Sequence, residues 1–449
     1  MMTFVANDAE FGLFGFVCLT AALLITIAEL LMLHFRRHLL VRPSMQVACL
    51  YTIFFMWPMT VFAPNLALWL PDPYAFMMVI VIFITSLLLF NLLTLQQTTL
   101  EIWRRATAPE SAQTGRMMPM VVLLTAISAV IMFGYFRQVP LTQTGLIIAL
   151  VDPSDASMAR EESLKLLDDA LTKYTYSIFA SGIGPLLGVL LAWCVIQAAR
   201  TRRYLGMLVA AVMFAVVLIS LSITGARSFA VSTLLAVLIA ALFRRGFHMR
   251  VLPVVLSAMV VILPAVVLTV FREGRGFAFD LLMEQISAVV IERVFVSPLE
   301  VGAAYVHLAQ THGYLGIEAV PKLSQLWMGS PGVDVPNAIG LSYFWFGSDQ
   351  INANAGFVAT YFSYFGPIGL VISIICAMSL DLVLLSYRWI GDRLLVPCMA
   401  VLAAAMFALL SVDFTVILLT YGFVVVPAIA VVLTLFTQGI KARAGRAST

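Results

Sequence analysis

The sequence predicts an all-α polytopic membrane protein, and both its composition and its hydropathy lead to that fold class. Of 449 residues, 62% are hydrophobic and only 11% are charged, and the mean hydropathy is +1.02. Soluble domains are closer to half apolar and a quarter charged, so this chain lies well outside their range. We expect one integral membrane domain over residues 1–449.

Eleven apolar runs are long enough to cross a bilayer as helices. An odd number of crossings places the two termini on opposite sides of the membrane. Acidic Asp8 and Glu10 precede the first run and no small-residue cleavage site follows it, so we expect a retained helix there. The predicted spans are residues 11–34, 45–70, 74–98, 117–137, 177–199, 205–225, 228–244, 250–271, 355–387, 392–412 and 414–437.

Lysines and arginines predict the orientation of these spans. They concentrate in six short connections, which the positive-inside rule assigns to the cytoplasm. We therefore expect a bacterial inner-membrane protein with a periplasmic N-terminus and a cytoplasmic C-terminus. Glu29 and Asp381 lie near cytoplasmic helix ends, and we expect both side chains to reach the interface. The basic clusters are Arg36, Arg37 and Arg42; Arg104, Arg105 and Arg116; Arg200, Arg202 and Arg203; Arg244, Arg245 and Arg250; Arg388 and Arg393; and Lys441, Arg443 and Arg446.

Two periplasmic loops, residues 138–176 and 272–352, have room for folded structure. In the first loop, we expect an amphipathic helix at the membrane interface. Leucines recur on one face of it, and opposite charges four residues apart pair on the other face. The leucines are Leu164, Leu167 and Leu171, and the pairs are Glu161 with Lys165 and Asp169 with Lys173.

The second loop predicts a helix and then an irregular lid. Ser297 is the expected N-cap, Pro298 the first helical residue, and Glu300 completes the capping pattern. This helix should run to about Gln310 and stop before Gly313. Prolines and glycines break any regular structure beyond it, at Pro321, Pro331, Gly332, Pro336 and Gly340.

Several function classes lack their usual signals. The cytoplasmic connections are too short for a nucleotide-binding domain, and neither a Walker A lysine nor a DxD pair is present. The five cysteines lie in apolar runs without zinc or redox spacing, and His307 and His312 have no third ligand for a metal. We expect no metal, no cofactor and no nucleic-acid partner, so activated substrate must come from the lipid or from outside.

Arginines at the outer ends of spans are the sharpest functional signal. Arg227 lies in a tight turn between two spans, and Arg272 and Arg275 directly follow the eighth span. For any one of them, contact with lipid phosphates or an ion pair explains the position as well as a functional role does. Together they favour pyrophosphate binding, because guanidinium groups bind phosphate oxygens bidentately. Arg160 and Arg293 are weaker members of this set.

A hydroxyl attack would need a general base near those arginines. The candidates are Glu273, Asp349, Asp413 and His312. Asp413 lies in a turn at the outer end of two spans, and Asp349 precedes the ninth span, so both positions fit a vestibule shared with Arg227. For each of these two acids, helix capping or a solvated turn is the simpler explanation.

The order of these features resembles the Wzy-type oligosaccharide repeat-unit polymerases, over roughly residues 140–437. The resemblance rests on the Gly225–Ser228 turn that opens a mid-chain helix and on one large outer loop before the last spans. It also rests on the polar junction Asn352–Phe357 with the Tyr364–Gly369 step that follows, and on Val333–Asn337.

The resemblance implies an all-helical bundle of the GT-C type that takes an undecaprenyl-pyrophosphate-linked glycan as donor and a lipid-linked repeat unit as acceptor. It implies pyrophosphate contacts from Arg227, Arg272, Arg275 and Arg293. It also implies sugar contacts from Asn352, Asn354, Asp334 and Asn337. Membrane lipids and possibly a chain-length regulator are the expected partners.

Two alternatives remain at this point. An O-antigen ligase usually carries a histidine at the polar junction, where this chain has Asp349–Asn354, although His312 keeps that function open. A lipid-linked oligosaccharide flippase would need a polar cavity reachable from both sides. Few charges lie inside the predicted spans, which disfavours it.

Overall fold

The computed structural model describes residues 8–70, 72–108, 117–151, 166–167, 169–224, 227–247, 295–317, 355–419 and 421–446. All regular structure within these residues is helical, as the sequence predicts. Eight helical segments are long and apolar enough to cross a membrane, which makes the chain a helical membrane protein. They are Gly12–Phe35, Pro43–Phe62, Pro73–Leu93, Met118–Gln138, Leu171–Arg200, Tyr204–Ser222, Pro367–Tyr387 and Asp392–Leu410.

The helices can be numbered in chain order. They are α1 (Asp8–Phe35), α2 (Pro43–Tyr51), α3 (Trp57–Trp69), α4 (Pro73–Leu93), α5 (Gln96–Thr107), α6 (Met118–Gln138), α7 (Gly145–Val151), α8 (Ala170–Ile178), α9 (Gly184–Arg200), α10 (Tyr204–Ser222), α11 (Arg227–Arg244), α12 (Ser297–His312), α13 (Phe357–Phe365), α14 (Pro367–Ser379), α15 (Val383–Tyr387), α16 (Asp392–Met406), α17 (Phe414–Leu419) and α18 (Val425–Arg446).

Each long segment overlaps one predicted span, and the other three predicted spans have no such segment among the described residues. The span at 228–244 forms a shorter apolar helix, and the span at 250–271 lies outside the described residues. The predicted span 414–437 is not continuous, because α17 ends at Leu419 and α18 begins at Val425. The span 355–387 is also broken, at Gly366 between α13 and α14. Apolar length alone could not reveal either break.

Proline and aspartate mark several helix starts. α2, α4 and α14 each begin with a proline, at Pro43, Pro73 and Pro367. A proline fits there because the first amide of a helix has no intrahelical acceptor. At α4 the Asp72 side chain also accepts a hydrogen bond from the Ala75 amide at 3.1 Å.

The described helices belong to two compact units. The first unit contains helical residues within 8–100, 295–382 and 406–417. In it, α1 packs on α3 and α4, α13 packs on α12, and α14 packs on α2 and α4. Its core includes the rings of Tyr51, Phe55, Phe83 and Phe357, and the Tyr51 and Phe55 rings stack with centroids 4.8 Å apart.

The second unit contains helical residues within 101–247, 383–405 and 418–446. α9 is its central helix and packs on α6, α10 and α11. The α10–α11 connection is held from the side, because the Leu146 amide at the start of α7 donates to the Ile223 carbonyl at 3.0 Å.

The prediction of an amphipathic helix in loop 138–176 is wrong for the residues of that helix that the structure describes. Leu167 precedes the helix and is buried, whereas Leu171 is 70% exposed, so the two leucines share no face. α8 begins only at Ala170, because Asp169 caps it and accepts hydrogen bonds from the Leu171 and Thr172 amides at 3.0 and 3.3 Å. These amides lower the pKa of Asp169. Glu161, Leu164 and Lys165 lie outside the described residues.

The helix predicted after Ser297 exists, but its start differs. Ser297 is the first residue of the α-helix rather than its cap. Phe295 and Val296 before it form a π-helical turn that leads into α12 without a break. Its end agrees with the sequence: His312 is the last helical residue, and Gly313 follows with φ +83°. Residues 272–294 and 318–352 of this loop lie outside the described residues, and they include every proline and glycine named for the expected lid.

Candidate functional site

Arg227 is the first residue of α11. α10 ends at Ser222, so only residues 223–226 connect the two helices, and Thr224 within this turn is buried. The connection is therefore short, and residues 223 and 224 are the part of it that the structure describes. The side chain of Arg227 lies outside the described residues, as do Arg160, Arg272, Arg275 and Arg293 entirely. Their convergence on a pyrophosphate stays a prediction.

Two irregular backbone segments meet close to this helix start. The Phe229 ring, in the first turn of α11, lies 6.3 Å from the ring of Tyr421. Tyr421 and Gly422 belong to the break before α18, and Gly422 has φ +75°. Opposite lies a π-helical turn, Phe179–Ile183, within the span Leu171–Arg200.

Glycine at both positions allows these backbones to approach. A Cβ on Gly422 would lie 3.2 Å from the Gly182 Cα and 3.3 Å from the Ser181 carbonyl oxygen. Irregular backbone at membrane depth occurs only where protein buries it or where it lines a polar cavity, and π turns concentrate at functional sites. Sequence reasoning missed this feature. Its only signal is Tyr421–Gly422 inside an apolar run.

Asp413 is the one candidate base whose side chain the structure describes. Its Oδ1 accepts from the Thr415 amide at 2.7 Å, the Thr415 hydroxyl at 2.6 Å and the Tyr361 hydroxyl at 3.4 Å. It therefore caps α17, which confirms the simpler explanation of this residue. Its Oδ2 is buried and has no hydrogen-bond partner among the described residues.

The other polar candidates are not described in side-chain detail. His312 ends α12, but its side chain lies outside the described residues. Glu273 and Asp349 lie outside them entirely. So do the four sugar-binding candidates, Asn352, Asn354, Asp334 and Asn337.

The glycines after the polar junction have clear structural roles. A Cβ on Gly356 would lie 2.7 Å from the Tyr51 hydroxyl and 3.3 Å from the Leu409 and Leu410 carbonyl oxygens. Gly366 has φ +63°, a conformation that favours glycine, and faces the Tyr314 ring. A Cβ on Gly369 would collide with the Tyr361 carbonyl. The Tyr364–Gly369 step thus forms the break between α13 and α14.

The first unit contains a buried ion pair, Arg42–Asp381, that was not predicted from the sequence. The guanidinium of Arg42 contacts the Asp381 carboxylate, with Nε 2.8 Å and the nearest terminal nitrogen 2.6 Å from Oδ2. The same guanidinium donates to the Asn91 and Thr94 carbonyls and to the Thr94 hydroxyl, so its five N–H groups are used. Ser44 donates to both Asp381 oxygens, through its amide and its hydroxyl.

The expectation that Glu29 and Asp381 reach the interface is therefore wrong. Asp381 is 2% exposed and Arg42 is fully buried, because the ion pair ties the start of α2 and the end of α4 to the end of α14. Glu29 is 6% exposed and accepts from the Thr52 hydroxyl at 2.7 Å. An aspartate inside an apolar run was the available signal, since such a charge needs a partner.

Within the described residues, no three His, Cys, Asp or Glu side chains come close enough together to hold a metal ion. Comparison of the chain with protein-family models, with curated proteins and with solved structures finds no match. The case for a function therefore rests on the residues themselves.

Proposed function

We propose that this chain is a membrane glycosyltransferase that polymerises undecaprenyl-pyrophosphate-linked oligosaccharide repeat units at the periplasmic face of the bacterial inner membrane. The product would be O-antigen, capsule or exopolysaccharide. The observation that carries the proposal is Arg227 at the start of α11, directly after a short turn between two apolar helices.

This position suits a lipid-linked phosphate group. The first amides of a helix point outward without partners and carry a partial positive charge, which attracts anions. An arginine in the first turn adds a full charge and a planar pair of donors. An undecaprenyl chain would lie among lipid tails while its pyrophosphate stayed at the helix end. Arg272, Arg275, Arg293 and, more weakly, Arg160 are the further candidates for the same anion.

The reaction needs only residues of these types. A hydroxyl of the acceptor's terminal sugar attacks the anomeric carbon of the donor glycan, and the bond from that carbon to the pyrophosphate oxygen breaks. The hydroxyl proton passes to a base, for which Asp349, Glu273, Asp413 and His312 are the candidates. Arginines stabilise the charge on the departing lipid pyrophosphate. Asn352, Asn354, Asp334 and Asn337 would hold sugar hydroxyls.

The proposal includes the orientation of the chain in the membrane. Basic connections on the cytoplasmic side put Arg227 at the periplasmic side, where lipid-linked repeat units would be joined. Donor and acceptor are both lipid-linked, so the proposed partners are these two glycolipids, membrane lipids and a chain-length regulator. A ligase that transfers finished glycan to another acceptor is the alternative within the same chemistry.

A glycan ladder tests the proposal in cells. A strain that lacks the gene is complemented with wild type, Arg227→Ala or Arg227→Lys, and its surface glycan is separated by size on a gel. We expect wild type to restore long chains, Arg227→Ala to leave single repeat units, and Arg227→Lys to restore chains poorly because an ammonium group cannot bind bidentately. Protein levels should be equal.

Arg137→Ala is the matched control, because Arg137 is an exposed arginine in the last turn of α6 and should restore the full ladder. Normal chains from Arg227→Ala would contradict the pyrophosphate role. Loss of all surface glycan on deletion, with polymer accumulating on undecaprenyl lipid, would instead identify a ligase.

A further inference from the structure

One end of the α9–α10–α11 bundle carries a dense group of positive charges. We call it the arginine cluster and define it as Arg200, Arg202, Arg203, Arg244 and Arg245. α9 ends at Arg200, α10 begins at Tyr204, and α11 ends at Arg244. Since these consecutive helices pack on one another through short connections, the end of α9, the start of α10 and the end of α11 lie together.

Contacts fix the cluster to the helix ends. The Arg202 and Arg203 amides donate back to the Ala199 and Ala198 carbonyls, and Arg202 has φ +53°, so the connection folds tightly onto α9. The Arg244 guanidinium lies 4.9 Å from the centre of the Trp193 ring, which joins the end of α11 to α9.

The sequence around the cluster is free of acidic residues. Residues 170–272 contain neither aspartate nor glutamate. The side chains of Arg202, Arg203 and Arg245 are exposed and form no hydrogen bond or ion pair with any residue that the structure describes. Three exposed guanidinium groups at one site create a positive potential that attracts anions from outside the chain.

The adjoining surface of α10 indicates the kind of partner. α10 has the lowest buried share, 17%, of the eight candidate spans. Its exposed side chains form one apolar stripe with helical spacing, and Tyr204 at its start is 69% exposed. The stripe consists of Leu205, Leu208, Val209, Val212, Val216 and Ile219.

The length of α10 indicates where the arginine cluster lies relative to the bilayer. A helix of 19 residues is about 28 Å long at 1.5 Å per residue, close to the thickness of the bilayer's hydrocarbon core. Acyl chains that cover the stripe therefore place phospholipid headgroups at the level of the arginine cluster. Tyrosine is enriched at this interface, which agrees with the position of Tyr204.

We infer that the arginine cluster and the α10 stripe form a binding site for an anionic phospholipid. The headgroup phosphate and its negative charge contact Arg202, Arg203 and Arg245, and the acyl chains lie along the stripe. This inference does not depend on the glycan chemistry proposed above. It assigns the arginines a ligand in addition to their part in orienting the chain.

Native mass spectrometry of the purified full-length protein tests the site. Delipidated protein in detergent is titrated with phosphatidylglycerol or phosphatidylcholine, and bound lipids are counted. Wild type should retain phosphatidylglycerol in preference to phosphatidylcholine. Arg202→Gln/Arg203→Gln should lower the phosphatidylglycerol affinity at least about tenfold, since each basic residue near an anionic surface contributes roughly 1 kcal/mol.

Two matched variants separate charge at this site from other effects. Arg137→Gln/Lys173→Gln removes the same charge from exposed side chains in the same unit, and should retain the wild-type lipid preference. Arg202→Lys/Arg203→Lys keeps the charge and should retain most of the affinity. If the Gln variant folds poorly, the preference of the wild-type protein for phosphatidylglycerol over phosphatidylcholine still tests the inference, and equal binding of the two lipids would contradict it.

The outcomes that would overturn the inference are distinct. Equal phosphatidylglycerol affinity in the Gln variant and the control would remove the cluster from the site. Displacement of the lipid by millimolar inorganic phosphate would show a phosphate site without a lipid requirement. Dimers that form without bound lipid and are lost in a Leu208→Ser variant would assign the stripe to a second copy of the chain.

Discussion

At the residue scale, the buried Arg42–Asp381 pair is the interaction most sensitive to a single substitution. Both side chains are nearly inaccessible, and each polar contact of the guanidinium is made within the first unit. Removing one partner of such a pair leaves a charge without compensation in a low-dielectric interior, which costs far more than losing an exposed pair.

We expect Arg42→Ala to lower the free energy of unfolding by about 3–5 kcal/mol. The double variant Arg42→Met/Asp381→Leu should lose much less, because no buried charge remains. Unfolding in mixed micelles, followed by circular dichroism, measures both values. The control is Arg36→Ala in the same connection, since the Arg36 side chain is partly exposed and donates a hydrogen bond to the Leu92 carbonyl at 3.3 Å. An unfolding free energy for Arg42→Ala as high as that of Arg36→Ala would contradict a stabilising pair.

At the element scale, helix breaks distinguish this chain from a simple series of spans. The α13–α14 break depends on Gly366, and the segment after α12 stabilises it from outside. The Leu315 and Gly316 amides donate to the Ser363 and Tyr364 carbonyls at 3.2 and 2.8 Å. These carbonyls lie at the end of α13, where they lack intrahelical partners, so a neighbouring segment caps the helix.

We expect Gly366→Ala to destabilise the protein by about 1–3 kcal/mol, because an alanine at φ +63° is strained and its Cβ would collide with the Tyr314 ring. Gly134→Ala is the control. Gly134 lies inside α6 with no atom within 4 Å of an added Cβ, and alanine favours helix there. Thermal unfolding in detergent compares the two variants. Equal midpoints would mean that the break does not need a glycine.

Helix type and most helix positions could be predicted from hydropathy, as the agreement for spans 74–98 and 117–137 shows. The breaks at Gly366 and at residues 420–424 could not, because apolar length does not register backbone geometry. Among the site residues, the capping role of Asp413 followed from its place in a turn. The Arg42–Asp381 pair did not, since its partners are far apart in sequence and meet only through packing.

At the scale of the whole molecule, arginines at helix ends differ in their surroundings and therefore in their roles. Three arginines at helix ends illustrate this: Arg42 is paired and buried, Arg202 is exposed at the arginine cluster, and Arg227 is the first residue of α11. The first stabilises the fold, the second is proposed to bind lipid, and the third is proposed to hold the leaving group. The polymerase proposal depends on the third.

The most direct test of that proposal is polymerisation by the purified protein in liposomes that contain undecaprenyl-pyrophosphate-linked repeat units. Glycan length and released undecaprenyl pyrophosphate are measured together over time. The polymerase proposal predicts a ladder of products with one undecaprenyl pyrophosphate released for each new linkage. With Arg227→Ala it predicts neither extended glycan nor released undecaprenyl pyrophosphate. An unextended substrate with the wild-type protein, or extension unaffected by Arg227→Ala, would contradict it.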